Sequence, residues 1–160
     1  MRAPRVGLGV DIGGTFAKIV AATREGKVLG RAQTPTWASR GPRGFIPRLA
    51  EALRGLERSL GLRAEAVGVG AAGDVDPVRG IIRFSPNMRA FDRYPLRDAL
   101  SAALRRRVSL HNDADMAAWG GYAVELGRRK ENLAAFTMGT GIGGGLVLGG
   151  RLYIGATGSA

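Results

Sequence analysis

The sequence comprises 160 residues, of which 45% are hydrophobic, and it carries a formal net charge of +11 at pH 7. This length allows one domain, or one domain and part of a second, and the hydrophobic content excludes a disordered chain. The absence of cysteine excludes disulfides, cysteine-ligated metals and thiol catalysis within these residues, and it fits a reducing compartment. No stretch is long and apolar enough for a signal peptide or a membrane span, so we expect a cytoplasmic protein without a membrane partner.

The first segment predicts an antiparallel meander opened by a glycine hairpin. Its three strands are expected at residues 5–10, 16–22 and 28–32, separated by turns at 13–14 and 24–27. Residues 34–44, which include two prolines, are predicted to form a loop. Leucines then recur every three or four residues from Phe45 to Leu60, which predicts an amphipathic helix that ends at Gly61.

The middle of the chain alternates between strands and helices. A short buried strand is predicted at residues 66–72, a brief strand at 81–84, a helix around 96–104 and a strand at 108–110. His111, Asn112 and Asp113 follow that last strand. Residues 114–126 then predict an alanine-rich helix, with Asp113 at its N-terminal edge.

From residue 132 onwards the pattern of the first segment returns. Strands are predicted at 133–138, 146–148 and 152–154, joined by a glycine-rich turn at 139–145 and a second turn at 149–150. Such a repeat predicts two related α/β domains, of which the second is cut short. We place the first domain at residues 1–111 and the start of the second at 112–160.

The positive charge comes almost entirely from arginines scattered along the chain, with the densest clusters at Arg105–Arg107 and Arg128–Lys130. Aromatic residues do not interleave with these clusters, as a nucleic-acid stacking platform would require. Arginines near helix C-termini complement the helix dipole, and a basic surface attracts an anionic nucleotide. We therefore expect no nucleic-acid partner.

Two glycine-rich turns are candidates for binding phosphate. Glycines allow close approach of the backbone and expose N–H groups to phosphate oxygens, although a single Gly-Gly turn by itself favours a simple hairpin. Asp11 ends an apolar strand, where a carboxylate is costly unless it meets a cation, and a Mg²⁺ ion or its water shell would supply one. Thr15 and Thr140 can donate a hydroxyl to phosphate. Lys18 is either a surface charge or a further phosphate contact.

Asp113 is the candidate catalytic residue. It follows a strand and opens a helix, which places it in the crevice beyond the carboxyl ends of the strands. On local sequence alone, N-capping of the helix is the simpler role. Its place between two phosphate-binding turns favours a general base that accepts the proton of a substrate hydroxyl. Asn112 could fix a neighbouring hydroxyl through its amide, and His111, the only histidine, is interpreted as structural.

Six segments together resemble the ROK family (repressors, open reading frames and sugar kinases) within the actin/hexokinase/Hsp70-like fold. They are VDIGGTFAK at residues 10–18, GVGAAGDVD at 68–76, SPN at 85–87, NDADMAA at 112–118, MGTGIGGG at 138–145 and GRLYIGATG at 150–158. The resemblance implies a ribonuclease H-like α/β domain (actin-like ATPase) with a mixed five-stranded sheet, followed by the first strands of a second related domain.

The resemblance also implies a reaction and residue roles. The reaction is ATP- and Mg²⁺-dependent phosphorylation of a hexose hydroxyl, of glucokinase type and on the 6-hydroxyl. Asp113 resembles the catalytic base, and Asn112, Gly73 and Asn87 resemble the residues of the sugar pocket. The phosphate-binding residues would be Asp11, Gly13, Gly14, Thr15 and Lys18 in the first loop and Gly139, Thr140 and Gly141 in the second. Asp11 would hold Mg²⁺ through water.

The chain departs from the family pattern at several positions. His111 stands where glutamate is common, Asp115 where asparagine is usual, and Ala72 where proline is common. The family's further sugar-binding motif, its structural zinc loop and its adenosine pocket would follow Ala160. We therefore expect an N-terminal portion that is inactive by itself, with structural Zn²⁺ only in the downstream segment and a homodimer for a complete protein.

Two other functions remain open. A sugar-responsive transcriptional regulator of the same family would carry a DNA-binding domain before Asp11, where ten residues are too few for one. A non-catalytic sugar-binding fragment is the second alternative. Among kinase substrates, glucose, N-acetylmannosamine, fructose and allose are not distinguished, and the phosphate donor is either ATP or polyphosphate.

Overall fold

The computed structural model describes residues 5–138 and 141–158. The strands are β1 (Val6–Ile12), β2 (Phe16–Thr23), β3 (Val28–Pro35), β4 (Ala66–Ala71), β5 (Asp74–Asp76), β6 (Ile81–Phe84), β7 (Arg107–Asn112), β8 (Leu133–Met138), β9 (Ile142–Leu148) and β10 (Arg151–Tyr153). The α-helices are α1 (Gly41–Leu60), α2 (Leu96–Leu104) and α3 (Asp113–Gly120). Short 3-10 turns lie at Ala38–Arg40 and Arg89–Phe91.

The main sheet has five strands in the order β3-β2-β1-β4-β7. The neighbours β1, β4 and β7 run parallel, whereas β1–β2 and β2–β3 are antiparallel. The predicted mixed five-stranded sheet and its opening meander are therefore confirmed. Because β1, β4 and β7 are parallel and in register, their carboxyl ends meet at one edge of the sheet, where Ile12, Ala71 and Asn112 lie side by side.

Helices α1 and α2 cover one face of this sheet and form the core with it. Phe45, Leu49 and Leu53 of α1 are fully buried, at the spacing that the sequence predicted. Each such side chain contributes about 1.5–3 kcal/mol through removal of apolar surface from water. The predicted end of the helix is also confirmed, because Gly61 caps it with a left-handed φ of 61°.

The predicted loop at residues 34–44 is wrong at both ends. Strand β3 extends to Pro35, and α1 begins at Gly41, four residues before the first residue of the predicted helix. Pro42 can occupy the first turn because N–H groups there have no intrahelical acceptor. The alanine-rich helix predicted at 114–126 is shorter than expected, because α3 ends at Gly120 and a π-helical turn follows at Gly121–Glu125.

A second sheet contains three antiparallel strands in the order β10-β9-β8, as the repeat predicted. The turn predicted at residues 139–145 is wrong for its second half, because Gly143, Gly144 and Gly145 belong to β9. Residues 139–140 lie outside the described part. A Cβ atom on Gly145 would lie 2.7 Å from Cβ of Ala118 in α3, so this glycine allows the helix to pack directly on the strand.

Helix α3 links the two sheets. It packs against β8 and β9 on one side and against β4 and β7 on the other. The proposed division into residues 1–111 and 112–160 stays a prediction. Among the described residues, no helix combines the length and apolar character that crossing a membrane would require.

Candidate active site

A crevice of about 670 Å³ opens at the carboxyl ends of β4 and β7. The predicted site residues that line it are Gly73, Asn87, Asn112, Asp113 and Gly141. These positions are far apart in the sequence and meet because the loops after parallel strands emerge at the same sheet edge. Gly139 and Thr140 lie outside the described residues, so Gly141 is the one described residue among the three predicted for the second phosphate loop.

A second cavity of about 1030 Å³ adjoins the first along the sheet. Asp11 and Lys18 line it, and Asp113 lines both cavities. Asp11 on β1 and Lys18 on β2 are direct cross-strand partners, and both are exposed. Asp113 therefore lies where the two cavities meet, whereas Gly13, Gly14 and Thr15 of the first turn are not among the described residues that line either one.

The turn at Gly13–Thr15 is held from the end of β3 by Thr36, a residue that no sequence pattern had marked for the site. Thr36 is 0% exposed, and its hydroxyl donates a 2.7 Å hydrogen bond to the carbonyl oxygen of Gly13. Its backbone N–H donates to the carbonyl oxygen of Thr15 at 2.8 Å. Thr36 thus fixes the carbonyl groups at both ends of the turn, and neither bond uses the hydroxyl of the exposed Thr15, which is left for a ligand.

We expect Thr36→Val to destabilise the protein by about 1–3 kcal/mol, because it leaves the Gly13 carbonyl without its buried donor while keeping the side-chain volume. Thr36→Ser keeps the hydroxyl and should recover most of the loss. Urea unfolding of both variants measures the difference. Equal stability of Thr36→Val and the unsubstituted protein would show that the hydroxyl does not support the turn.

Gly14 brings the first turn against the loop that carries Asn87. A Cβ on Gly14 would lie 3.3 Å from both Cβ and the carbonyl oxygen of Asn87. Neither Gly13 nor Gly14 has a positive φ among the described glycines. Glycine at position 14 therefore eases the close approach of the two loops, because a Cβ there would push the Asn87 loop away by a few tenths of an ångström. The two predicted binding surfaces touch at this point.

Asn112 is the N-cap of α3, a role that local sequence favoured for Asp113. Its Oδ1 accepts hydrogen bonds from the backbone N–H groups of Ala114 and Asp115, at 2.8 and 3.2 Å. Its Nδ2 donates to the carbonyl oxygen of Gly73 at 2.9 Å. Asn112 thus fastens the Gly73 loop to the start of α3, and one amide hydrogen remains for a ligand hydroxyl.

Asp113 is exposed and is the first residue of α3. Its Oδ1 accepts a 3.0 Å hydrogen bond from the backbone N–H of Ala114, which orients the carboxylate towards the helix start. Because Asn112 performs the capping, the Asp113 side chain is not needed for it. The simpler N-cap interpretation of Asp113 is wrong.

Alongside desolvation, the negative charge of Asp113 raises the pKa of two other carboxyl groups. Although Asp11 is exposed as a whole, partial desolvation of its carboxyl group raises its pKa, the Lys18 ammonium lowers it, and the negative charge of Asp113 raises it again, with a net increase. Asp115, 3% exposed and lining the crevice, has its pKa raised by burial and by Asp113. In the sequence, Asp115 is a departure from the family pattern and was not predicted to belong to the site. Its position two residues after Asp113 was the available signal.

His111 is half-buried, and burial lowers its pKa, which favours the neutral imidazole. It does not line either cavity among the described lining residues. The interpretation of His111 as structural is consistent with this position.

The described residues of the two cavities suit a magnesium ion only when a bound phosphate supplies further ligands. No group of three or more histidine or acidic side chains in residues 5–138 and 141–158 is arranged to hold a metal by itself. A cation between Asp11 and Asp113 would nevertheless be stabilising, because these two carboxylates line one cavity and repel each other electrostatically. Carboxylate oxygens together with water and phosphate oxygens are ligands that Mg²⁺ prefers, so the donor set fits.

Comparisons with known proteins bear on the family and the fold of this chain. A sequence model of the ROK family matches residues 7–160. Glucokinase from Thermotoga maritima is 38% identical over 151 residues, which cover 94% of this chain and 47% of that protein. The ROK hexokinase from Thermus thermophilus superposes with a TM-score of 0.87 and 36% identity, over 97% of this chain and 51% of that one.

A third similar protein was solved with ligands. It is a ROK family glucokinase from Streptomyces griseus in complex with glucose and AMPPNP, with a TM-score of 0.85 and 35% identity over 97% of this chain and 48% of that one. These likenesses confirm the predicted actin-like fold class. The chain spans about half the length of the relatives it matches.

Proposed function

This chain belongs to the ROK family, and we propose that the full-length protein transfers a phosphoryl group from ATP to a hydroxyl of a hexose. The observation that carries the proposal is the position of Asp113, an exposed carboxylate that lines both the crevice and the adjoining cavity. The similarity of the chain to glucokinases and to a ROK hexokinase supports the choice of a sugar as acceptor.

In this proposal Asp113 is the general base. It accepts the proton of the sugar hydroxyl, for which the carboxylate oxygen must come within about 2.6–3.2 Å of the hydroxyl oxygen. The remaining amide hydrogen of Asn112 and the side chain of Asn87 lie in the same crevice and would orient the sugar. The 6-hydroxyl is the proposed acceptor, because a primary hydroxyl reaches furthest from the ring towards the base.

The glycine turns hold the triphosphate in this proposal. Backbone N–H groups at Gly14 and Thr15 would face phosphate oxygens, whereas the N–H of Gly13 donates to the carbonyl oxygen of Phe16 at 3.1 Å and closes the turn. Gly141 would represent the second turn on the other side of Asp113. Lys18, exposed beside Asp11 in the larger cavity, would contribute a positive charge. The held phosphates would stand in line with the sugar hydroxyl, as phosphoryl transfer requires.

Mg²⁺ would be held through Asp11 and its bound water, together with phosphate oxygens of the nucleotide. When bound, the ion neutralises negative charge on the phosphates that are being cleaved. The contribution of this chain is the Asp11 carboxylate, which partial desolvation and Asp113 hold at a raised pKa and which gains from a nearby cation.

Glucose is the proposed substrate, with N-acetylmannosamine and fructose as alternatives and ATP preferred over polyphosphate as donor. A sugar-responsive regulator is not favoured, because the similar proteins above are sugar kinases. We further propose that these 160 residues form one wall of the site and do not phosphorylate sugar alone. The second wall and domain closure would exclude water from the transferred phosphoryl group.

A coupled assay for ADP release tests the proposal on the full-length protein with a panel of hexoses. We expect ADP formation that requires both the hexose and Mg²⁺, and that is fastest with glucose. ADP formation at the same rate with and without sugar would indicate an ATPase. Failure with every hexose would contradict a hexokinase function.

A further inference from the structure

The three consecutive arginines at Arg105–Arg107 lie at the opposite end of the sheet from the crevice. Both α1 and α2 end there, and the strands that follow them, β4 and β7, run from this end towards Asp113. Each of these strands has six residues, which corresponds to about 20 Å of extended chain. The arginine cluster is therefore separate from the proposed active site.

A groove of about 960 Å³ lies between the ends of these two helices. Its basic lining residues are Arg54, Arg58, Arg63, Arg105 and Arg106, and Glu57 is the acidic residue among the described lining. Aromatic side chains are lacking in the same described lining. We call this region, defined by these five arginines, the arginine groove.

The charge of Glu57 is already compensated inside the protein. Arg106 donates to both of its carboxylate oxygens, at 2.5 and 3.1 Å, and the backbone N–H of Ala64 donates to Oε1 at 2.7 Å. The two side chains are only 9% and 10% exposed. This buried pair forms a fixed floor of the groove and does not repel an anion that enters from solvent.

The remaining charge exceeds what the helix ends can neutralise. Each helix C-terminus is equivalent to about half a negative charge, so α1 and α2 together offset about one arginine. Arg58 also pairs with Glu51 at 2.6 Å. Of the five arginines, Arg106 is neutralised by Glu57 and Arg58 by Glu51, and the two helix ends offset about one more, which leaves an excess of about two positive charges. Arg63 and Arg105 are exposed, and neither forms a salt bridge within the described chain.

Arg105 occupies a position where a side chain is disfavoured. It caps the end of α2 in the left-handed region, with a φ of 50°. Glycine is the usual residue at such a position because it has no Cβ. An arginine here accepts backbone strain and adds positive charge to the rim of the groove, next to the buried pair.

We propose that the arginine groove binds a small polyanion that carries several phosphate groups, with Arg63 and Arg105 as its direct ligands. Guanidinium groups bind phosphate through paired, charge-assisted hydrogen bonds, and closely spaced phosphates match closely spaced arginines. A nucleic acid fits less well, because bases would find no aromatic surface on which to stack.

Inorganic tripolyphosphate is the probe, measured by isothermal titration calorimetry with the purified protein at about 0.15 M ionic strength. Tripolyphosphate can also enter the proposed triphosphate site between the glycine turns, so we expect two saturable sites, of which only the one in the arginine groove responds to the substitutions below. The double variant Arg63→Gln/Arg105→Asn should weaken binding by about tenfold or more, since it removes two charged donors. Asparagine is chosen at position 105 because it tolerates a left-handed backbone. Arg63→Gln alone, which leaves that backbone untouched, should weaken binding by about threefold or more.

The matched control is Arg128→Asn/Arg129→Gln. It removes the same charge from another exposed cluster and also replaces an arginine with a left-handed φ, here 58°. We expect this control to change affinity by less than about twofold. Equal weakening by both double variants would show that net charge alone attracts the probe, and it would overturn the proposal. Tighter binding of single-stranded DNA than of tripolyphosphate would overturn it in favour of a nucleic acid.

Discussion

Replacing Asp113 with asparagine is expected to lower kcat for sugar phosphorylation by about 10²- to 10⁴-fold while sugar affinity changes little, because the variant loses the proton acceptor and keeps the shape. Asparagine retains a side-chain oxygen that can accept the hydrogen bond now donated by the N–H of Ala114. The measurement compares kcat and the sugar dissociation constant of the full-length protein and its Asp113→Asn variant.

Asp98→Asn is the matched control for this experiment. Asp98 and Asp113 both lie in the first turn of a helix, α2 and α3 respectively, so each substitution removes a carboxylate from a positive helix end. That loss costs about 0.3–1 kcal/mol of stability in either case. We expect Asp98→Asn to keep normal kcat. If Asp113→Asn also stayed within a few-fold of normal turnover, Asp113 would not be the base.

We expect Gly73→Ala to destabilise the protein by about 3 kcal/mol or more, because it combines a disfavoured backbone conformation with a steric clash. Gly73 has a φ of 116°. A Cβ at this position would overlap the carbonyl oxygen of Phe84 and lie 2.9 Å from Cα of Ser85. Since these are backbone atoms, a rotamer change cannot relieve the overlap, and the strands β5 and β6, which pair antiparallel beside Gly73, must move.

The same substitution at Gly44 serves as the control. Gly44 lies on the exposed side of α1, and a Cβ there would have nothing within 4 Å. Gly44→Ala should therefore stabilise the protein by about 0.5–1 kcal/mol through helix propensity. Thermal and urea unfolding measure both variants. A Gly73→Ala protein as stable as the unsubstituted one would show that the loop relaxes freely and does not define the crevice.

The local pattern of residues predicted most of the secondary structure. Alternating apolar residues and paired glycines predicted the meander of β1, β2 and β3, and leucines at helical spacing predicted α1. The return of this pattern after residue 132 predicted the second sheet. These features depend on neighbours within a few positions, so the sequence contains the information directly.

The glycine run near the end shows where local reasoning fails. A dense run of glycines is typical of a turn, yet Gly143 and Gly145 lie in β9 beneath α3. What requires glycine is the approach of Ala114 and Ala118 from the helix, close to where a Cβ would be. No pattern within the run itself encodes the distance to a helix more than twenty residues earlier in the chain.

The sequence alone was sufficient to identify the residue types of the candidate site, because a carboxylate after a strand and glycines after apolar runs are recognisable locally. Tertiary structure decided how these residues are placed relative to one another. Asn112 caps α3 and holds Gly73, 39 residues away, and this frees the Asp113 carboxylate for the crevice. Thr36 fixes the Gly13 turn across 23 residues. Hydrogen bonds of this kind depend on which loops the parallel strands bring to one edge, and that arrangement exists only once the sheet has formed.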